Sequence, residues 1–276
     1  MITNTLKLLR IKDWLKNVII FLPLIFSGNL KYEYFYFDLV AVFFLFSLTS
    51  SFIYIINDIV DIEDDKKHPL KINKKPLASN KLSIRFALII LIFISFILIL
   101  SFFKFSNTYK HLILYLFLNL SYTFYFKRVP VLDVLIIGFG YLIRLDVGSV
   151  IIEVNTSLFL AGAIFFLANF IIFIKRLVQL SNFKNKNLIS FYSKNNLNIL
   201  ILISSFFFFL TLFIFIFLKK IQLIFLIPIL IFVFFRYYKS AIFYNLGEFP
   251  FELIMKEKSV LFCSTLVIIY TIYIYL

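Results

Sequence analysis

Residues 43–69 read FFLFSLTSSFIYIINDIVDIEDDKKHP. An apolar and hydroxyl-bearing run, Phe43 to Ile56, leads straight into Asn57, Asp58, Asp61, Glu63, Asp64 and Asp65, with Lys66, Lys67 and His68 behind them. Five carboxylates within eight residues, set against hydrocarbon, are costly unless a function requires them. Their spacing carries the first clue. If the helix continues past Ile56 at about 100° per residue, with Asn57 at 0°, Asp61 falls near 40°, Asp65 near 80°, Asp58 near 100° and Asp64 near −20°. Asn57, Asp58, Asp61, Asp64 and Asp65 then share one arc of about 120°, and Glu63 points away. Asn57, Asp61 and Asp65 form an i, i+4, i+8 ladder.

Carboxylates so close together repel or take up protons unless a cation joins them. Hard divalent cations take oxygen ligands, and Mg²⁺ is held by one or two carboxylates, with waters and substrate phosphates completing its shell. An EF-hand does not fit, because the ladder is helical and no Gly stands at the sixth position of the loop. A solvated acidic helix end, neutralised by neighbouring lysines, is the bland alternative. Downstream the sign of charge reverses through Lys66, Lys67, His68, Lys71, Lys74 and Lys75. Acids that hold a metal beside cations that meet phosphate oxygens suit a diphosphate leaving group. The same lysines also serve membrane topology, and the two roles are compatible.

The whole chain fits a membrane setting. It has 276 residues, 62% hydrophobic and 21% aromatic, and only 15% are charged; a soluble domain carries about a quarter. The mean hydropathy is +1.00. These totals describe an all-α integral membrane protein. The net charge of +14 is read as membrane orientation, with no nucleic acid as partner. The single cysteine, Cys263, lies in the last apolar run and reads as a packing residue. The first 28 residues have the outline of a leader peptide, but further apolar runs follow, so they are read as the first span.

Spans of about 20 apolar residues are expected near 15–30, 37–56, 84–103, 109–126, 131–152, 158–175, 197–218, 220–236 and 260–276. That predicts a bundle of nine transmembrane helices in a single domain, 1–276. With the N-terminus cytoplasmic, 22 of the 28 Lys and Arg fall in inner segments and five in outer ones, while Arg144 lies within a span. This alternation obeys the positive-inside rule. It places the acidic ladder on the cytoplasmic side of the membrane.

The motif N-D-x-x-D-x-x-x-D over Asn57–Asp65 resembles the first aspartate-rich motif of the UbiA superfamily of intramembrane prenyltransferases. The chain is most similar to one branch, the decaprenyl-phosphate phosphoribosyltransferases. RIKDWLKNVIIFLPLIFSG (10–28) resembles that branch's N-terminal pattern through Arg10, Trp14, Lys16, Asn17 and Pro23. DKKHPLKINKKPLAS (65–79) is similar to its D-R-x-H-P stretch, with one extra residue before Pro76. YFKRVPVLDV (125–134), GYLIR (140–144) and Gly148 resemble its second motif and fifth helix. IKRLVQL (174–180), Arg236-Tyr237-Tyr238 and GEFPFELIMKEK (247–258) resemble its later motifs, with Gln179, Phe251 and Glu257 as departures and Asp146 where a small apolar residue is usual.

The resemblance implies a nine-helix bundle with its active site open to the cytoplasm. It also implies phosphoribosyl diphosphate as donor and a polyprenyl (decaprenyl or undecaprenyl) phosphate as lipid acceptor. Mg²⁺ is expected on Asn57, Asp61 and Asp65, and Asp58, Asp61 and Asp133 are expected to carry the reaction. Substrate binding is assigned to Lys16, Asn17, Lys67, His68, Lys71 and Lys75 in the N-terminal part. Farther along it is assigned to Tyr122, Lys127, Arg144, Lys175, Arg176 and Arg236. Self-association is left open.

Several of these residues have a second reading. Arg144 binds a phosphate or pairs structurally with Asp146 or another helix. Tyr122 and Tyr125 belong to the site or to the aromatic belt. Lys175, Arg176, Arg236 and Lys239 snorkel at span ends or bind substrate. His111 reads as an inert residue of the outer interface. The lipid phosphate is already anionic, so its attack on the ribose anomeric carbon needs no strong base, in keeping with a chain that offers no Ser/His or Cys/His nucleophile pair. Prenyl transfer from a prenyl diphosphate is the alternative chemistry. A transporter fits less well, because the acids gather at a helix end and not at the midplane.

Overall fold

Residues 34–60, which include the whole second predicted span, contain neither Gly nor Pro, and nothing in them breaks a helix. Tyr34–Val60 accordingly forms one helix of 27 residues, α3. In the computed structural model, residues 1–67, 72, 74–182, 192–244, 247 and 250–276 are described. Among them every regular element is helical: α1 Ile2–Leu8, α2 Leu22–Phe26, α3, α4 Ile62–Lys66, α5 Ile84–Phe124, α6 Leu132–Ile151, α7 Leu158–Asn182, α8 Lys194–Lys219, α9 Leu226–Phe243, α10 Pro250–Lys256 and α11 Lys258–Tyr275. Short 3₁₀ stretches connect several of them.

Seven helices among the described residues are long and apolar enough to cross a membrane. Two of the predicted spans, 84–103 and 109–126, run together as α5, 41 residues long and non-helical only at Phe105 (φ −115°, ψ 36°). Leu98 and Tyr109, eleven residues apart, would be separated by about 16 Å along a straight helix. Instead the Tyr109 hydroxyl donates to the Leu98 carbonyl, and Ser101 Oγ lies 2.6 Å from that hydroxyl. The chain therefore folds back at Phe105, and the two predicted spans are the two legs of α5. The first predicted span, 15–30, is built differently, from a 3₁₀ stretch at Ile11–Phe21 followed by the five residues of α2.

The chain forms two compact units, each discontinuous in sequence. The first comprises Met1–Leu22, Tyr32–Thr123 and Ile143–Val154. Its axis is α3, whose hydroxyl residues stay within the helix by donating to carbonyls four residues back: Thr49 to Leu45 (2.8 Å), Ser50 to Phe46 (2.9 Å) and Ser51 to Ser47 (3.0 Å). Small side chains let the N-terminal 3₁₀ stretch approach closely. Trp14 Nε1 donates to Ser51 Oγ (3.0 Å), and Asn17 Nδ2 donates to Ser47 Oγ (2.9 Å). The first leg of α5 packs through Ala87, Leu91 and Ile94 against Ile55, Leu8 and Leu77. The second leg reaches α3 through Tyr115, whose ring lies 4.6 Å from that of Phe46.

The second unit comprises Pro23–Lys31, Phe124–Leu142 and Asn155–Leu276. Its core joins α7, α8 and α9 through stacked rings, Phe170 on Phe234 at 4.3 Å and Phe208 on Phe234 at 4.6 Å. Helices α6 and α7 approach closely at Gly138, where a Cβ would stand 2.6 Å from Asn169 Oδ1. Lys220, in extended backbone, separates α8 from the 3₁₀ stretch that precedes α9. This is the break expected between the seventh and eighth predicted spans.

Candidate functional site

The acidic ladder keeps helical hydrogen bonding across the end of α3. Asp61 N donates to Asn57 O and Asp65 N to Asp61 O, both at 2.9 Å, although Asp61 itself leaves the helix (φ −94°, ψ 9°). The face that becomes buried is narrower than the predicted arc. Asp58 and Asp65, seven residues apart, are each 2% exposed. Asn57 and Asp61 are partly covered, and Glu63 and Asp64 lie exposed. Asp64 thus falls outside the buried face that the angular argument gave it, because the helix is interrupted between the two segments.

Two cations meet the buried pair. Lys75 Nζ lies 2.8 Å from Asp58 Oδ1 and also pairs with Asp65 Oδ2. Arg10 Nη2 donates to Asp58 Oδ1 at 2.5 Å. Arg10 has left-handed backbone (φ 51°) where α1 gives way to the 3₁₀ stretch, and its guanidinium lies over the Tyr54 ring at 4.6 Å. Burial works against the Arg10 charge, yet the negative charge of Asp58, with Tyr54 and Asp13, raises its pKa above the usual value. Lys16 takes part at the rim, paired with Asp13 at 2.6 Å. Glu63 accepts from the partly covered Lys66 at 2.8 Å, a hydrogen bond that lowers the Glu63 pKa. Lys67 is exposed. His68 and Lys71 lie outside the described residues.

Elsewhere in the same unit, Arg144 is buried, at 4% exposure. Its Nε donates to Asn17 Oδ1 (2.7 Å) and its Nη2 to Tyr115 OH (2.6 Å), with the Tyr115 and Phe46 rings at 4.6 and 5.2 Å from its guanidinium carbon. The structure therefore brings two predicted site residues, Asn17 and Arg144, into direct contact. Asp146, two residues on, meets His111 Nε2 at 2.8 Å. His111 is 5% exposed and paired, so it is an interior residue and not the inert interface residue expected.

The second unit holds a polar cluster of its own. Asp133 is fully buried at the start of α6. Its Oδ2 accepts from Arg176 Nε and its Oδ1 from Tyr192 OH, both at 2.7 Å. Tyr192 OH in turn accepts from Val131 N (2.6 Å), at a β-branched residue with φ 69°. Burial and the Asp133 carboxylate push the Tyr192 pKa up. Arg176 Nη1 also donates to Gln179 Oε1 at 2.7 Å. Near the end of the chain, Glu257 accepts from Arg236 (2.5 Å), Ser240 (2.8 Å) and Ser259 (2.8 Å). Tyr122, near the end of its leg of α5, is partly covered, as are Lys127 in the 3₁₀ stretch Phe126–Arg128 and Lys175, which lies within α7 because that helix runs on to Asn182.

Sequence reasoning missed Tyr115, Tyr192 and Glu257 as partners of site residues. Tyr115 and Tyr192 carry no spacing signature, since each joins its partner through tertiary packing. Glu257 stood in a quoted motif that gave no hint of which cation it meets.

Among the described residues no three His, Cys, Asp or Glu side chains converge as a metal cage. Mg²⁺ does not require one, because one or two carboxylates suffice when substrate phosphates complete the shell. Asp58 and Asp65 already share one cation, the Lys75 ammonium, so their oxygens can converge on a positive centre. The donor chemistry of this ladder therefore fits Mg²⁺.

A chain that is helical in every regular element described, with seven membrane-length apolar helices, is a multi-pass membrane protein, and a buried acid–cation cluster stands at the end of one of those helices. Residues 21–247 match the UbiA prenyltransferase family, and the chain belongs to that family. It is similar to the decaprenyl-phosphate phosphoribosyltransferase of Mycolicibacterium smegmatis, at 29% identity over 163 residues, 57% of this chain and 51% of that protein. The protein of the same name from Corynebacterium glutamicum is 29% identical over 157 residues, 55% of this chain and 47% of that protein. An uncharacterized protein of Sinorhizobium fredii, y4nM, is 32% identical over 173 residues, 58% of this chain and 31% of that protein. The chain spans about half the length, or less, of these curated relatives.

Proposed function

We propose that the protein transfers 5-phosphoribosyl from phosphoribosyl diphosphate to a polyprenyl phosphate, releasing diphosphate. The observation that carries this reading is the Asp58–Asp65 pair with Lys75 and Arg10 beside it, a buried meeting of acids and cations at a helix end. The similarity to proteins named decaprenyl-phosphate phosphoribosyltransferase supports the donor and the acceptor. We further propose a single transmembrane domain over 1–276, with nine membrane segments, a cytoplasmic N-terminus and a site facing the cytoplasm of a bacterial inner membrane. The Lys and Arg distribution supports that orientation.

In this reading Asn57, Asp61 and Asp65, with Asp58, hold Mg²⁺. The ion supplies charge neutralisation for the diphosphate as it departs. Lys75 and Arg10 place positive charge beside the aspartates, and Lys16 and Lys67 line the approach as phosphate contacts. A lipid phosphate oxygen forms the new bond to the anomeric carbon as the bond from that carbon to diphosphate breaks. The attacking oxygen is already ionised, so no side chain has to remove a proton. Asn17 holds Arg144 through its side-chain oxygen, keeping the guanidinium oriented within the helices. Asp133 does the same for Arg176.

The family's own description favours a second reading, prenyl transfer from a prenyl diphosphate to another acceptor. The two separate in one assay of the purified full chain with Mg²⁺, phosphoribosyl diphosphate and decaprenyl or undecaprenyl phosphate. Mass spectrometry of the lipid fraction should show the phosphoribosylated lipid. Its absence, with a prenyl diphosphate turned over instead, selects the second reading. Asp61→Asn should abolish product while leaving thermal unfolding unchanged.

A further inference from the structure

The start of α5 carries a feature that the proposed transfer does not use. A pocket of about 560 Å³ opens there, with Lys66 of α4 and Arg85 of the first turn of α5 as its cations. Its apolar wall is Ile62, Leu77 and Leu82, and Asn80 and Ser83 supply polar groups. The wall is firmly built. Leu77 is buried in the core of its unit, and Lys81 N and Leu82 N both donate to Pro76 O, at 2.9 and 3.2 Å. Ser83 Oγ caps α5 by accepting from Phe86 N at 3.2 Å.

The pocket is distinct from the aspartate face. Its lining, among the described residues, includes none of Arg10, Asn57, Asp58, Asp61, Asp65 and Lys75. Lys66 is paired with Glu63 at 2.8 Å, a carboxylate largely in solvent. Such an exposed pair is weak enough to exchange for a better anion.

What lies beyond Arg85 identifies the occupant. Leu88, Ile89, Ile92 and Phe96 follow at i+3, i+4, i+7 and i+11, so they share its helix face. All four are exposed, Ile92 to 71%. From Arg85 to Phe96 the rise is about 16 Å, close to half of a bilayer core of about 30 Å. A cationic pocket at the head of an apolar stripe one leaflet deep matches a phosphate headgroup with its acyl chains attached. We propose that this is a binding site for an anionic phospholipid of the surrounding bilayer. Its phosphate lies between Lys66 and Arg85, and its chains run along Leu88, Ile92 and Phe96.

The test uses delipidated, detergent-purified full chain, titrated with phosphatidylglycerol and, separately, with inorganic phosphate. Native mass spectrometry counts lipid adducts, and thermal unfolding is followed in parallel. Wild type should hold one phosphatidylglycerol that Lys66→Ala/Arg85→Ala binds about tenfold more weakly or worse, the loss expected for a charge-assisted phosphate contact. Phosphatidylglycerol, and not inorganic phosphate at the same concentration, should raise the unfolding temperature. Equal lipid binding by wild type and variant overturns the site. An equal rise with inorganic phosphate overturns the lipid as its occupant. Arg85→Gln, at an exposed position, gives the same comparison should the double variant fold poorly.

Discussion

Lys75, ten residues beyond Asp65, places its ammonium 2.8 Å from Asp58 Oδ1 while also pairing with Asp65. One side chain thus joins two buried carboxylates on successive helical segments, α3 and α4. Removing it takes a shared cation from both acids, while Arg10 stays on Asp58. Breaking a buried pair in this way costs about 3–5 kcal/mol. Lys75→Ala should therefore lower the denaturation midpoint substantially. Lys75→Ala/Asp65→Asn, which removes one negative charge along with the cation, should recover part of the loss. Thermal unfolding of the two variants in detergent checks this.

Tyr192 links Val131 N to Asp133 at the entry of α6. Tyr192→Phe keeps the ring and removes both hydrogen bonds, leaving a backbone N–H and a buried carboxylate oxygen without that partner. The expected cost is about 1–3 kcal/mol. Hydrogen exchange should show faster opening at the first turn of α6 than in the wild type, with the far end of that helix unchanged.

Glu257 supplies a pH prediction. The Arg236 hydrogen bond, followed by those of Ser240 and Ser259, lowers its pKa to about 2. A carboxyl whose folded-state pKa is depressed stabilises the fold when ionised. That contribution is complete above the ordinary glutamate value of about 4.3, and it is lost as the pH falls toward about 2. Glu257→Gln should be less stable than wild type near neutral pH, and the difference should narrow between about pH 5 and pH 3. A gap that stays constant over that interval counts against the assignment.

Much of the fold was legible because hydrophobic blocks and alternating basic loops are properties of the sequence itself. The fold-back at Phe105 was legible as two spans, yet not as one interrupted helix, since no Pro or Gly marks it. The first span is apolar enough for a helix, though Pro23 interrupts it; what the sequence did not show is that Trp14 and Asn17 dock a 3₁₀ stretch on Ser51 and Ser47 of α3. At the site, periodicity placed Asp58 and Asp65 on one face. It did not reveal that Lys75 and Arg10 would claim them, because those contacts reach across 10 and 48 residues of chain. The pairing of His111 with Asp146 was hidden for the same reason: a helix pattern shows which face a residue occupies, not which residue meets it.

The identity of the donor decides between the two transfer reactions, and a competition assay reads it. The full chain in detergent or nanodiscs receives Mg²⁺, decaprenyl phosphate and equal amounts of phosphoribosyl diphosphate and a prenyl diphosphate, and both donors are quantified over time. Phosphoribosyl diphosphate should be consumed, with one phosphoribosylated lipid formed per diphosphate released and neither seen with Asp61→Asn. Consumption of the prenyl diphosphate, with phosphoribosyl diphosphate untouched, would refute phosphoribosyl transfer.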